Sequence, residues 1–261
     1  MSLASFVDTL ALPTSARIDR RVPKKLLLEQ GAPPASDRRQ IQDGIAEIVW
    51  IAALKPNNIA VPAFQDEVRE YRDIAVLTLT LRDAARANRL SELIHRAIPY
   101  PVVLWTEGDG AASLSLAHKR WSQSEAGEVV VEEVYRSPWL RPDAPSAAEA
   151  AFLGSLALAE LPTRDLYALY QGWLDRLATF EAAAITGIFA LPETVEHAAA
   201  RRDALAEHAR LEREIAGLRT QAERETQIGR RVELNLEIAR LRNELTAVEE
   251  VLGAKGLPLS P

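Results

Sequence analysis

The spacing of hydrophobic residues changes near the middle of the chain. Before residue 136 the apolar runs are short, as in β-strands. EIVWIAAL (47–54) is nearly continuous, which predicts a strand covered on both faces, and Pro56 follows its end. In DIAVLTLTLR (73–82), leucines alternate with Thr78 and Thr80, which predicts a half-buried strand.

Helical and strand patterns alternate around these two segments. RANRLSELIHRAI (86–98) predicts a short amphipathic helix, and another helix is predicted near QIQDGIAE (40–47). PVVLWT (101–106), SLSLAHKRW (113–121) and VVVEEVY (129–135) predict a three-stranded meander with turns at 107–110 and 124–127. The order indicates an α+β or α/β fold whose N-terminal sheet has about five strands and flanking helices.

A proline-rich segment, PWLRPDAPS (138–146), separates this region from a stretch that is typical of helices throughout. Ser146 and Glu149 form a capping-box pattern at the start of one helix. The next helix begins at Leu166, and Pro192 is expected to close it.

Residues 193–252 contain no proline and carry two heptad-like seams of roughly three heptads each. The two seams are out of phase, because Leu234 follows Ala222 by twelve residues, which is not a multiple of the seven-residue heptad. We therefore predict a coiled-coil-like antiparallel hairpin with its turn near 224–230; the alternative is one kinked helix. The residues expected at the hairpin interface, or at a partner interface, are Leu211, Ile215, Leu218, Leu234, Ile238, Leu241 and Leu245.

The predicted organisation has four parts. An α/β domain spans residues 1–141, and a helical connector spans 146–192. The hairpin spans 193–252, and a flexible tail occupies 253–261.

Composition and charge narrow the range of functions. Hydrophobic residues make up 48% and charged residues 26% of the chain, as in folded soluble proteins. There is no cysteine, which excludes a disulfide framework and a thiolate zinc site. No apolar run is long enough for a membrane span, and no signal peptide is recognisable, so a cytoplasmic location without membrane contact is expected. The formal net charge of −6 lies in residues 142–261, which argues against a uniformly basic nucleic-acid binder.

One short segment is nevertheless densely basic. Its cations could bind a phosphate backbone or an acidic partner. The simpler interpretation is a solvated turn, because no aromatic residue lies between the cations to stack on bases. The five candidate nucleic-acid contacts are Arg17, Arg20, Arg21, Lys24 and Lys25.

A metal-dependent nuclease would need an Asp/Glu-x-Lys pair on one strand and an acid on another. Lys55 and Lys119 are the lysines on predicted strands, but Ala53 and Ala117 stand two residues before them. The remaining acids at strand ends are Glu47, Asp73, Glu132 and Glu133.

Other chemistry receives little support. Phosphate-binding glycine loops and the serine nucleophile elbow are absent from the sequence, and the four histidines are too far apart for an HExxH pair. His118 is expected to face solvent at a strand edge or to pack on Trp121, and the tryptophans at 50, 105, 121 and 139 are expected to fill the core or seal domain edges. We therefore assign no catalytic residue, no metal site and no cofactor.

Several segments together resemble the bacterial family catalogued as domain of unknown function 4391. They are LPTSARIDRRVPKK, IAEIVWIAALKPNNI, IPYPVVLW, SLAHKRW, YRSPW and RETQIGRRVELNLEIARL. In the last segment Ile228 and Gly229 replace a Phe-Asn pair that is usual in the family, while Val232-Glu233-Leu234-Asn235 is kept. The family has no assigned catalytic residues.

The resemblance implies a genomic setting, since such proteins are encoded beside DNA methyltransferases and helicases in restriction-like antiphage clusters. It suggests a non-catalytic accessory subunit that bridges helicase, methyltransferase or DNA. Two alternatives remain open: a nuclease effector with a divergent active site, and a free-standing dimer formed through the hairpin.

Overall fold

The computed structural model describes residues 3–30, 34–83, 86–123, 129–141 and 145–253. The chain forms two compact units, Met1–Leu177 and Ala178–Pro261. The turn predicted at 124–127 and all of the predicted tail except Gly253 lie outside the described residues. Within the described part, no helix is both long enough and apolar enough to cross a membrane.

The first unit is built on a six-stranded mixed sheet. Its strands are β1 (Arg17–Arg21), β2 (Ile45–Leu54), β5 (Ile74–Leu81), β6 (Val102–Gly108), β7 (Ala111–Trp121) and β8 (Val129–Arg136), with a separate small hairpin of β3 (Phe64–Gln65) and β4 (Glu70–Tyr71). The strand order in the sheet is β1-β2-β5-β6-β7-β8. Among these described strands, β5 and β6 pair in parallel, because a helix crosses over between them, and the other neighbours are antiparallel.

Helices cover both faces of this sheet. Those in the first unit are α1 (Leu3–Asp8), α2 (Lys24–Gln30), α3 (Ala35–Gly44), α4 (Pro56–Ile59), α5 (Ala87–Ala97) and α6 (Ala147–Ser155), and α7 (Leu166–Thr186) crosses the boundary between the units. Apolar residues of α2, α3 and α5 form one core cluster with β2, β5 and β6. On the opposite face, Phe6 of α1 contacts the ring of Trp105, and the Tyr170 hydroxyl of α7 donates to the Val102 carbonyl. The mixed α+β class is thereby confirmed.

One prediction about the sheet was wrong in detail. Strand β5 was expected to be half-buried, but Thr78 is only 6% exposed, because helices cover both faces. The sheet has six strands, where about five were predicted. The strand that no sequence pattern identified is β1, whose five residues are all exposed and show no alternation of apolar and polar side chains.

The second unit is dominated by a helical hairpin of α8 (Val195–Arg224) and α9 (Ile228–Gly253). Residues 225–227 are not helical, which confirms the predicted hairpin turn and excludes a single kinked helix. Leu211, Ile215, Ile238 and Leu241 are buried in one cluster, and Leu218, Leu234 and Leu245 are partly buried against it.

The end of α7 differs from the prediction. The helix stops at Thr186 and not near Pro192, because Gly187 adopts a left-handed φ of 77°. This conformation is a common helix terminator and favours glycine.

Candidate nucleic-acid interface

A groove with a volume of about 410 Å³ lies at the β1 edge of the sheet. It is lined by part of the basic segment together with residues from distant parts of the chain. The polar and aromatic residues that line it are Arg20, Arg21, Trp50, Lys55, Asp73 and Tyr100.

A β-bulge determines how the basic segment faces this groove. Arg17 pairs with Ala52 and Arg20 pairs with Trp50, so β1 has one more residue than β2 over this interval. Asp19 sits in the bulge with a φ of 48°, a conformation that aspartate tolerates better than most residues. Its carboxylate accepts a hydrogen bond from Arg17 Nε at 3.1 Å. The bulge therefore sets the register in which Arg20 lies opposite Trp50.

The groove cations are available to an anionic ligand. Arg20 is exposed and has no carboxylate within ion-pair distance in the described part of the chain. Arg21 lies 3.2 Å from Glu47, but the side chains are 70% and 45% exposed, so this ion pair is weak and can exchange. Lys55 Nζ lies 3.5 Å from Asp73 Oδ1.

Two aromatic residues accompany these cations. The indole N–H of Trp50 donates to the Ala52 carbonyl at 2.8 Å, which fixes the ring on the strand. Tyr100, just before β6, is 39% exposed. The basic segment has no aromatic residue of its own, but the fold brings two to its groove. Sequence reasoning missed them because they lie 29 or more residues from Arg21.

The other members of the basic segment have different neighbours. The Lys24 amine donates to the Gln42 carbonyl at 2.9 Å and also to the Ile45 carbonyl, so it holds the end of α3. Burial, followed by the charges of Arg82 and Arg21, lowers the Lys24 pKa. Lys25 points to Glu29 at 3.4 Å on α2. Of the five predicted contacts, Arg20 and Arg21 line the groove.

Most of the residues predicted as candidates for a metal-dependent nuclease do not lie together in the fold. Lys55 and Asp73 come together in the groove, but Glu47 pairs with Arg21 and Glu132 lies 3.4 Å from Arg69. Lys119 is 3% exposed, and its amine donates to the carbonyls of His95, at 2.6 Å, and Ile98. Among the described residues, no group of three or more His, Asp or Glu side chains could hold a metal ion.

His118 does not face solvent at a strand edge. It is 8% exposed, hydrogen-bonds the Tyr71 hydroxyl through Nδ1, and lies 2.8 Å from Gln171 Oε1 through Nε2. Trp139, one of the rings expected to fill the core or seal domain edges, is 39% exposed.

The hairpin carries an apolar stripe on its outer surface that the seam analysis missed. Ile228, Val232 and Leu236 are 72%, 53% and 67% exposed. Their spacing of four residues places them on one face of α9. Exposed apolar residues that are contiguous in this way are typical of interaction surfaces.

Comparison with known proteins gives one match. The family described as "Domain of unknown function (DUF4391)" matches residues 10–245, which include the whole sheet, the groove and most of the hairpin. No curated protein and no solved structure matches the chain.

Proposed function

Since the chain belongs to the family described as domain of unknown function 4391, we propose that it is a non-catalytic accessory subunit that contacts nucleic acid on behalf of partner enzymes. The observation that carries the proposal is the groove in which Arg20, Arg21 and Lys55 lie with Trp50 and Tyr100. Cations that follow a phosphate backbone and rings that stack on bases are the two components of single-strand binding.

The arrangement favours single strands over duplex. A duplex offers only its phosphates to an exposed sheet edge, whereas a single strand also offers unstacked bases to Tyr100. Three cations give modest affinity, so the isolated chain should bind weakly and without sequence preference, with a Kd on the order of 10⁻⁴–10⁻⁶ M. Such a subunit would extend the footprint of a tighter binder.

The proposed partners are the helicase and the DNA methyltransferase of a bacterial antiphage restriction-like system. The stripe of Ile228, Val232 and Leu236 supports attachment to a protein, because it leaves apolar surface exposed at the start of α9. Co-purification of the tagged chain from its gene cluster would identify the partners. A self-associated chain without other proteins would favour the homodimer alternative instead.

The groove is tested by fluorescence anisotropy of labelled single-stranded and duplex oligonucleotides over a salt series. If three phosphates are contacted, the slope of log K against log salt should be no steeper than about −2 on single strands and about −2.7 on duplex. A triple variant, Arg20→Ala, Arg21→Ala and Lys55→Ala, should abolish most of this slope. Tyr100→Leu should weaken single-strand binding several-fold and leave duplex binding unchanged.

The matched control is Arg213→Ala, Arg219→Ala and Arg242→Ala, which removes the same charge from exposed hairpin positions. If the position of the cations in the groove determines binding, this control should bind the oligonucleotides with the affinity of the wild type. Equal affinities and slopes for the wild type and the groove variant would eliminate the nucleic-acid role. The basic segment would then be a solvated edge.

A second candidate function is a divergent metal-dependent nuclease, and the 3.5 Å pair of Lys55 and Asp73 in the same groove is the observation that favours it. We expect no DNA cleavage with Mg²⁺ or Mn²⁺, because a lone carboxylate beside a lysine supplies too few metal ligands. The assay incubates purified chain with plasmid and single-stranded DNA. Cleavage that is lost in Asp73→Asn or Lys55→Ala would establish the nuclease and displace the accessory role.

A further inference from the structure

A second cavity, of about 240 Å³, lies on the α5 side of the sheet, where the first turns of α5 approach β6, β7 and the end of β8. Its chemistry differs from that of the apolar cluster beside it, because five of its lining side chains carry hydroxyl groups. They are Ser91, Thr106, Ser113, Ser115 and Ser137.

Four of these hydroxyls are held by the protein. The Ser91 hydroxyl donates to the Asn88 carbonyl at 3.1 Å, and Ser115 Oγ lies 3.0 Å from His95 Nε2. The hydroxyls of Ser113 and Ser137 donate to the carbonyls of Ser137 and Pro138, each at 2.8 Å. These bonds fix the walls of the cavity.

The fifth hydroxyl is different. Thr106 is 3% exposed, and among the described residues its Oγ1 has no hydrogen-bond partner. A buried hydroxyl without a partner is costly, so native structures seldom keep one unless something else satisfies it. A ligand in the cavity that accepts a hydrogen bond from Thr106 would remove this cost.

A positive charge lies at the same cavity. Arg136 Nε donates to Ser91 Oγ at 3.0 Å and its Nη2 donates to the Asn88 carbonyl at 2.9 Å, which hold the guanidinium in place. In the described part of the chain no carboxylate lies within ion-pair distance of Arg136, and Nη1 has no protein partner. Partial burial lowers the Arg136 pKa, and only the more distant charge of Glu92 opposes this. The site therefore presents an uncompensated cation.

We propose that this cavity binds a phosphate monoester group through Arg136 and Thr106. The inference is independent of the nucleic-acid proposal, since the two sites share no lining residue. A phosphate monoester carries about −1.5 to −2 charge at pH 7 and three acceptor oxygens, so it can accept from the guanidinium and from the hydroxyl on another wall at once. A carboxylate has only two oxygens, which lie in one plane, so it is less suited to accept from donors on two different walls of the cavity.

The size and rim of the cavity restrict the ligand further. A volume of about 240 Å³ accommodates the phosphate with a small substituent but not a dinucleotide cofactor. Trp139 also lines the cavity, and its partly exposed ring offers a surface on which a substituent could stack. The phosphate could come from a free small molecule or from the 5′ end of a nucleic acid.

Isothermal titration calorimetry on the full chain at constant ionic strength tests the site. The probes are inorganic phosphate and a short oligonucleotide with either a 5′-phosphate or a 5′-hydroxyl. We expect saturable binding of phosphate or of the 5′-phosphorylated oligonucleotide at or below millimolar concentration. Arg136→Gln should weaken it about 10-fold or more and Thr106→Val about 3- to 10-fold. Binding of inorganic phosphate identifies the free ligand, and binding that requires the 5′-phosphorylated strand identifies the nucleic-acid end.

Two features keep the test decisive. Thr106→Val preserves shape and β-branching and removes an unsatisfied hydroxyl, so the unliganded variant should be at least as stable as the wild type; it remains informative if Arg136→Gln does not fold. The groove triple variant should retain phosphate affinity at this cavity, which separates failure here from failure of the proposed function. No saturable heat up to about 10 mM of any probe, or unchanged affinity in both variants, would overturn the proposal.

Discussion

At the scale of single residues, Lys119 shows how far burial can alter a side chain. Its amine lies under the end of α5 and donates to two backbone carbonyls, and none of the described acidic residues pairs with it. Burial lowers its pKa to about 7. Since carbonyls near a helix C-terminus are partly negative, the contact is favourable, but it does not replace the lost hydration of the ammonium.

The shift makes stability depend on pH in a defined direction. In the unfolded chain Lys119 keeps its ordinary pKa of about 10.4. Between about pH 7 and pH 10, the unfolded state therefore binds more protons than the folded state, and stability must rise with pH. We expect the free energy of unfolding to increase by about 1 kcal/mol per pH unit between pH 7.5 and 9.5, measured by urea denaturation.

Lys119→Met should remove most of this increase, whatever its effect on absolute stability, because methionine does not titrate and only the smaller contribution of Lys24, whose pKa is also lowered, remains. Lys25→Met, at a side chain that is 81% exposed, is the matched control and should keep the wild-type slope. Measurements stay below pH 10, because burial raises the pKa values of Tyr71 and Tyr170 and their contribution reverses the trend at higher pH. A slope that is the same in the wild type and Lys119→Met would refute the assignment.

His118 marks the limit of prediction at this scale. Its position on a strand was predicted correctly, but its partners lie elsewhere: Tyr71 on β4 and Gln171 on α7. The alternation of residues along β7 predicts which side chains share a face of the sheet, but it does not predict which helix covers that face. A histidine with partners 47 and 53 residues away in the chain leaves no local signal.

At the scale of elements, the hairpin was predictable because its signal is a periodicity that runs along two long helices. The break in phase between the seams located a turn that the structure places at 225–227. Strand β1 was missed for the opposite reason, since it is five residues long, exposed and mostly charged. Its pairing with β2 compensates for a composition that does not favour a strand.

The hairpin seam yields a direct comparison of two leucines on one helix. Leu241 is 1% exposed and Leu236 is 67% exposed. Leu241→Asp should cost about 3–5 kcal/mol, because it buries an unpaired carboxylate among the seam residues. Leu236→Asp carries the same loss of helix propensity and should cost less than about 1 kcal/mol.

Chemical denaturation of the two variants, followed by circular dichroism, makes the comparison. Comparable losses would mean that the seam does not pack as described. The outer leucine has a second use, because Leu236→Asp should weaken the proposed attachment to a protein partner without unfolding the hairpin.

At the scale of the whole molecule, composition and pattern predicted the mixed α+β class and the helical second part of the chain. They could not predict the groove. Arg20, Trp50 and Tyr100 come from β1, β2 and the segment before β6, and only the strand order brings them together. The cavity at Arg136 was missed for the same reason, since its lining residues lie on α5, β6, β7 and the end of β8 and have no common sequence pattern.

Among the strands that the structure describes, β1 is the last at its side of the sheet, so its outer backbone groups pair with none of them. Exposed edges of this kind invite other chains to add to the sheet and can seed aggregation. The bulge at Asp19 interrupts the regular hydrogen-bonding pattern, and the arginines on the strand repel a second copy of themselves. The arginines that are proposed to bind a polyanion therefore also oppose edge-to-edge association of the protein. A ligand that neutralises these charges removes the repulsion and favours self-association through β1.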